Sequence, residues 1–421
     1  MTSVDRWMLP EGVDELLPER AAVAEQMRRN ILDLFKSWGY QLVVPPLIEF
    51  TDSLLIGMGK DIETQSFRLT DQISGKSMAV RADITPQTAR IDAHSLKAEG
   101  VRRLCYAGSV LHTRPKTLMA SRCPMQVGAE LYGDASIAAD IEVISLLLET
   151  LQVIDGAFAS ANGNGGKAGK GLCQLTLDLG HVSIYNAVRE AIQAAVPALE
   201  QDDIALIFDA IQRKSLPDLK CLLPNLMAGH AITETLYQLP NLCGGVEVLE
   251  QAKQILAPLG SGVVAAIDQL TQVAEVVSQR FVEVEVYFDL AEIRGYEYHT
   301  GLVFAAYADG HGLALANGGR YDNIGKVFGS ERSATGFNSD IKALIDFLGS
   351  RAILAGQQAN AAREIIAAPK QSESEASLWQ AVSELRKAGQ VVIFNGEEGA
   401  EKPTSVLVQK SGSWQVEKIN S

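Results

Sequence analysis

Four short stretches of this sequence hold the side chains best suited to chemistry. The first is Val80-Arg81-Ala82-Asp83-Ile84-Thr85-Pro86-Gln87. The second is Tyr106-Ala107-Gly108, followed further on by Gln126-Val127-Gly128-Ala129-Glu130. The third is Ile293-Arg294-Gly295-Tyr296-Glu297-Tyr298-His299-Thr300-Gly301. The fourth is Gly318-Gly319-Arg320-Tyr321-Asp322 with Gly336-Phe337 after it. Asp83, Thr85, Gln126, Glu130, Arg294, Tyr298 and His299 together offer carboxylates, a hydroxyl, an amide, a guanidinium and two rings with polar tips, the groups that grip a small charged molecule by hydrogen bonds and ion pairs. Each has a plainer reading when taken alone. Asp83 and Thr85 can cap a helix beginning near Pro86, Arg294 can be a strand-end ion pair, Glu130 a surface charge, Gln126 a sheet-edge amide, and Tyr298 and His299 packed rings. The Gly-Gly-Arg-Tyr-Asp run reads as structural: its glycines allow close backbone approach, and Arg320 and Asp322 are placed to pair with each other.

Other chemistries are poorly served. The five cysteines form no C-x-x-C pair and the six histidines no H-x-x-x-H pair, so the expectation is reduced thiols, no disulfide framework, no metal and no cofactor. The glycine-rich stretch 159–171 superficially resembles a phosphate loop. The fit fails, because five residues separate Gly163 from Gly169-Lys170 and Gly171 stands where Ser or Thr is needed; a flexible surface loop is expected there.

The elements that must position these residues follow from periodicity. Val23, Met27, Ile31, Leu34 and Trp38 recur at helical spacing over 20–38, with Gly39 as a C-terminal cap, and a β-rich stretch from Tyr40 stops at Pro45-Pro46. Two short strands are expected within 66–81 around Ser74-Gly75-Lys76, a helix over 84–98, strands at 103–111 and 124–132, and an apolar helix over 136–154. Residues 181–280 read as a helical insertion. Strict alternation at 281–288, with Val282, Val284, Val286 and Phe288 on one face, reads as a half-buried strand. Strands at 301–308 and 312–317 follow, with Gly318-Gly319 closing the hairpin, and then a helix over 338–350. Residues 353–421 read as a small β-α-β unit. A run of antiparallel strands interrupted by helices is α+β, with a core domain at 1–352 and the small unit after it.

Bulk numbers narrow the partners. A formal net charge of −14 gives no general attraction to phosphate backbones. No apolar run is long enough to span a membrane and the N-terminus lacks a signal-peptide pattern, so a cytoplasmic address is expected.

In order and spacing, the four stretches resemble the core of class II aminoacyl-tRNA synthetases of the histidine-specific subgroup, over roughly residues 5–350. The resemblance implies an antiparallel sheet flanked by helices, with helix 20–38 and the chain to Pro46 as the self-associating motif 1, 103–132 as the motif 2 hairpin, and Gly336-Phe337 opening motif 3. It further implies a histidine pocket: Asp83, Thr85 and Gln126 for the ammonium, Glu130 for the ring N–H, Arg294 for the carboxylate, and Tyr298 and His299 for the ring. The chain departs from the synthetases at Asp83, where they carry Glu, and at His299, where a second Tyr is usual. It departs more seriously at the ATP contacts. The motif 2 arginine aligns with His112, or with Leu111 if a gap is allowed, and the motif 3 arginine with Ala343, near the added carboxylate of Asp340. Adenylate chemistry depends on neutralising moving charge, and neither residue supplies a permanent bidentate cation. The unit at 353–421 is also shorter than the subgroup's anticodon-binding domain. This combination resembles the regulatory subunits of short-form ATP phosphoribosyltransferase, which implies a non-catalytic chain, a catalytic partner subunit, a hetero-octamer, free histidine as effector of feedback inhibition, and no tRNA. An active histidyl-tRNA synthetase and a free-standing amino-acid sensor are the alternatives.

Overall fold

The structure, a computed structural model, describes residues 7–55, 60–97, 99–115, 117, 120–161, 174–291, 298–324, 328–329, 331–354, 364–369, 376–394 and 402–419. The chain divides into two compact units, one comprising 1–160 with 164–357 and the other 358–421 with 161–163. No helix among the described residues is long and apolar enough to cross a membrane.

The strands of the larger unit are β1 (Gln41–Leu42), β2 (Ile48–Phe50), β3 (Arg68–Thr70), β4 (Ser77–Val80), β5 (Arg102–Ser109), β6 (Met125–Tyr132), β7 (Leu175–His181), β8 (Cys243–Gly244), β9 (Val284–Asp289), β10 (Leu302–Ala308), β11 (Ala316–Arg320) and β12 (Ala334–Asp340). Nine of them form one sheet in the order β1-β5-β6-β12-β11-β10-β7-β9-β8, and β2-β4-β3 form a small second sheet. The five central neighbours from β5 to β10 and on to β7 are antiparallel. The exceptions are β1 on β5 and β9 on β7, both parallel. The helices of 182–280 form the crossover that the β7–β9 pairing requires. The architecture is the α+β, synthetase-like one expected.

Strand alternation divides the sheet into a core face and a site face. Along β6, Val127, Ala129 and Leu131 point into the main core with Phe337 of β12 and Leu177 and Leu179 of β7. That core is closed by helices Pro18–Ser37, Ile137–Ala161 and Ile341–Leu354, through residues such as Ile31, Phe35, Ile144, Leu147 and Ile341. Gln126, Gly128 and Glu130 therefore share the opposite face. Across β6–β12 they meet Asp340, Asn338 and Gly336, and across β6–β5 they meet Gly108, Tyr106 and Leu104.

The first helix ends as its sequence dictates. Gly39 adopts φ +83°, its N–H bonds the Lys36 carbonyl and the Tyr40 N–H bonds the Phe35 carbonyl, both at 3.0 Å. This left-handed turn satisfies carbonyls that the helix leaves open. Other expectations shift. Only Gln41–Leu42 of the stretch after it pairs as a strand. The helix after Asp83 is α-helical over Thr85–Arg90 and continues as a π-helical turn, Ile91–Leu96. Helix Ile137–Ala161 runs into the glycine-rich stretch expected to be a loop, whose remainder lies outside the described residues. Val282 precedes β9 and is exposed, so it does not belong to the apolar face assigned to it. Gly318 and Gly319 sit within β11 rather than closing a hairpin.

In the smaller unit, β13 (Ile365–Ala368), β14 (Val391–Phe394), β15 (Ser405–Lys410) and β16 (Ser413–Lys418) pair in the order β14-β13-β15-β16. Helix Ala376–Lys387 packs Leu378 and Val382 on Ile366, Ala368, Val392 and Leu407.

The pivot of the main core is Phe35, fully buried and edge-on to Phe337 with ring centroids 5.9 Å apart. Phe35→Ala is expected to lower the unfolding free energy by roughly 3–5 kcal/mol, measured by urea denaturation of the larger unit's transition.

Candidate ligand site

The site face is organised around one carboxylate. Glu130, only 1% exposed, accepts hydrogen bonds at Oε1 from Thr85 Oγ1 (2.9 Å) and from the Tyr106 hydroxyl (3.1 Å), and at Oε2 from the Tyr321 hydroxyl. Among the described residues no cation pairs with it. Burial outweighs the three hydroxyl donors and pushes the carboxyl up to about 8. Its space exists because the facing strand carries glycine: a Cβ on Gly336 would fall 1.6 Å from Glu130 Oε2. Gly128 likewise makes room for the Tyr106 hydroxyl, which would lie 2.4 Å from an added Cβ.

Beside Glu130 lies a second polar centre. Asp83 Oδ1 accepts from Gln126 Nε2 (2.8 Å) and from the Thr85 N–H (3.1 Å), while Gln126 Oε1 accepts from the Ile84 N–H (2.9 Å). Asp83 holds the first N–H of helix Thr85–Arg90, but the capping expected of Asp83 and Thr85 is not found: the N-cap is Ile84, with no side-chain cap bond, and the Thr85 hydroxyl turns to Glu130. Asp83 belongs to the same network as Gln126, and Thr85 links that network to Glu130. Tyr298 stacks on Tyr321 (centroids 5.1 Å apart, rings inclined by 22°), and His299 meets Tyr298 edge-on at 5.2 Å. The buried Tyr298 hydroxyl has no hydrogen-bond partner among the described residues, a costly condition for an interior polar atom and one that a bound polar ligand would relieve.

Asp83, Thr85, Gln126, Glu130, Tyr298 and His299 are thus brought into one neighbourhood. Arg294, with the rest of 292–297, lies outside the described residues. Two contributors were passed over in reading the sequence. Tyr321 belongs to the Gly-Gly-Arg-Tyr-Asp run read as structural, yet its hydroxyl bonds Glu130. Tyr132 lies 3.5 Å from the Tyr321 hydroxyl; its placement two residues past Glu130 on an alternating strand was the available signal. Arg320 does behave structurally: it forks onto Asp140 (3.0 and 2.8 Å) and reaches Asp322 at 3.3 Å.

Asp83 and Gln126 also line an adjoining cavity of about 410 Å³, together with His112, Asn317, Asn338, Asp340 and Ala343. No arginine or lysine is among the described lining residues. One nitrogen of the His112 ring is committed: Nε2 donates to the Ala82 carbonyl oxygen at 2.9 Å. Asp340 Oδ1 accepts from the Met125 and Lys342 N–H groups, each at 3.0 Å, and burial raises its carboxyl above the usual range. The positions that sequence alignment assigned to the two missing ATP arginines therefore do face a common space.

Comparison with known proteins fits this geometry. The family model described as histidyl-tRNA synthetase matches residues 12–344, and the ATP phosphoribosyltransferase subunit HisZ C-terminal domain matches 363–417. An ATP phosphoribosyltransferase regulatory subunit of Marinobacter nauticus is 46% identical over the full length of both chains. The chain belongs to the ATP phosphoribosyltransferase regulatory subunit family. The regulatory subunit of Thioalkalivibrio sulfidiphilus is 47% identical, covering 93% of this chain and 92% of its own. The fold is shared with the crystal structure of an ATP phosphoribosyltransferase regulatory subunit/histidyl-tRNA synthetase from Bacillus halodurans (TM-score 0.74, 24% identity, 92% of each chain covered). It is also shared with histidyl-tRNA synthetase from Nostoc (TM-score 0.71, 18% identity, covering 96% of this chain and 91% of that one). The family thus pairs a synthetase-like core with a C-terminal domain of its own, and it is named for a regulatory, not a catalytic, role.

The raised carboxyl of Glu130 has a signed consequence. Between an ordinary 4.5 and about 8 the folded state holds a proton that the unfolded state has lost, so stability falls as pH rises through that window and levels off above it. Glu130→Gln, which presents an N–H to the Tyr321 oxygen, is expected to flatten this slope and to gain stability relative to the parent at pH 8.5. Urea midpoints measured from pH 5 to 8.5 check the sign.

Proposed function

We propose that this chain is the histidine-sensing, non-catalytic subunit of a short-form ATP phosphoribosyltransferase. In this role it activates a separate catalytic subunit within a cytoplasmic hetero-octamer and conveys feedback inhibition when histidine fills its synthetase-like pocket. The observation that carries the reading is the contrast between the polar network around Glu130 and the cavity beside it. One keeps carboxylates, amide, hydroxyl and aromatic groups for an amino acid. The other, where a synthetase would neutralise ATP, is lined by Asp83 and Asp340 with no described arginine or lysine.

Histidine suits the first set of groups by its chemistry. Its ammonium has oxygens available at Asp83, Gln126 and Thr85, its ring N–H has Glu130 as acceptor, and the unpartnered Tyr298 hydroxyl can serve a ring nitrogen. Arg294 is assigned to the carboxylate by family resemblance, and His299 to the ring. A polyphosphate suits the cavity poorly, because carboxylates in a partly desolvated cavity repel it strongly. Free histidine is therefore the effector, and neither tRNA nor adenylate formation enters the function.

Self-association is assigned to the motif 1 region. Leu42, Val44, Leu47, Ile48 and Phe50 are all exposed on and beside β1 and β2, with Val44 at 83%, an apolar concentration of the kind that marks interfaces. Val44→Asp is expected to convert the free protein to monomer in equilibrium sedimentation, with its melting curve little changed.

The decisive experiment combines calorimetry with reconstitution. Titration with free histidine should give saturable one-site binding that Glu130→Ala weakens at least tenfold. A catalytic subunit of the short form should gain rate on mixing with this chain and lose it when histidine is added. Histidine-dependent pyrophosphate exchange at an appreciable rate would instead establish a synthetase and end the regulatory reading.

A further inference from the structure

The proposed ligand function makes no use of one buried cation. Arg81 is 7% exposed, and among the described residues no carboxylate pairs with it. Its guanidinium is spent on backbone. Nη1 donates to the Pro45 carbonyl at 3.0 Å and, more weakly, to Pro46 at 3.5 Å; Nε donates to the Ser109 carbonyl at 2.9 Å; Nη1 also reaches Gln87 Oε1 at 3.4 Å. Its own backbone continues the pattern, since the Arg81 N–H bonds the Leu47 carbonyl at 3.1 Å and the Leu111 N–H bonds the Arg81 carbonyl at 3.0 Å. Gly108 keeps the route open, because a Cβ there would lie 2.5 Å from Arg81 Nη2. Burying a guanidinium on neutral acceptors is expensive, so its geometry is unlike that of a casual contact.

The three segments it joins are those the function needs to connect. Pro45 and Pro46 lie inside the exposed apolar strip Leu42–Phe50. Ser109 ends β5, immediately before Val110 and His112 on the cavity wall. Gln87 lies in the helix whose first residues, with Asp83, form the ammonium site. Gln87 strengthens the link by donating from Nε2 to the Pro46 carbonyl and to Glu49 Oε1, both at 2.8 Å, and Arg90 grips the same Glu49 at 2.7 and 3.1 Å. The strip is thereby bonded through side chains to the turn that carries Asp83 and Thr85.

We propose that Arg81 is a positioning residue that couples the amino-acid site to the self-association strip, so that histidine and a second copy of this chain each favour the other's binding. The inference rests on the histidine-sensor reading. A planar fork reaching carbonyls on two sides cannot be replaced by an ammonium, which supplies charge without that span. Linkage makes the effect reciprocal: with one histidine per copy, saturating histidine tightens dimerisation by the square of the factor by which dimerisation tightens each site.

The test measures both sides of the cycle. Sedimentation of the full chain gives the association constant with and without saturating histidine. Calorimetry gives the histidine affinity of the parent and of the Val44→Asp variant. The parent is expected to show roughly tenfold coupling, within the usual range for linked sites; Arg81→Lys should reduce it to near onefold while still binding histidine. Because Arg81→Lys alters a buried cation, Gln87→Leu serves as the second variant: it leaves the guanidinium in place, removes the bonds to Pro46 and Glu49, and should reduce the coupling in part while the chain still folds and binds histidine. Histidine that binds monomer and associated chain equally, or coupling that survives in both variants, overturns the Arg81 proposal and leaves the sensor standing. Absence of any histidine heat from the parent sinks the sensor reading and this inference with it.

Discussion

A buried carboxylate with no cation paired to it among the described residues governs the architecture of this site face. Glu130 can be tolerated inside the protein only because Thr85, Tyr106 and Tyr321 turn their hydroxyls toward it and because it can hold a proton at neutral pH. Those three donors come from the first turn of helix Thr85–Arg90, from β5 and from the segment after β11. Satisfying one side chain therefore fixes the relative placement of three separate parts of the chain. The glycines at 128 and 336 belong to the same requirement, since any larger residue would occupy the volume of Tyr106 or of Glu130 itself.

The Glu130 network and the cavity beside it are largely separable. The Glu130 network and the neighbouring cavity share Asp83 and Gln126 but otherwise draw on different side chains. His112 Nε2 is bonded to the Ala82 carbonyl and Asp340 Oδ1 to two backbone N–H groups, so these two side chains of the cavity wall are held without phosphate. Arginines are absent from the described lining of that cavity, yet every donor to Glu130 keeps its place, because none of them is bonded to the cavity wall's His112 or Asp340.

Much of this was legible in the residues. The motif stretches singled out Asp83, Thr85, Gln126 and Glu130, which the fold joins in one hydrogen-bonded network, and the helix before Gly39 announced its own end. Several elements were not legible. β7 follows a glycine-rich stretch that draws attention to itself, and β12 carries Gly336, Asn338 and Asp340, none of which favours a strand locally; its identity comes from pairing with β6 and β11. The π-helical turn after Arg90 has no simple periodic signature. Tyr321 was read as structural because its neighbours Arg320 and Asp322 are, and only the curvature of the chain after β11 carries its hydroxyl to Glu130.

The parallel pairing of β7 with β9 has a consequence for how this body can vary. An excursion between antiparallel neighbours starts and finishes at one end of a sheet and can be trimmed to a tight turn. The helices of 182–280 instead depart from one edge of the sheet's width and must re-enter at the opposite one, a span of seven residues at roughly 3.3 Å each along β7. Evolutionary shortening of this insert is bounded accordingly: lineages can exchange or shrink its helices, but some crossing segment must survive wherever β9 keeps its place beside β7.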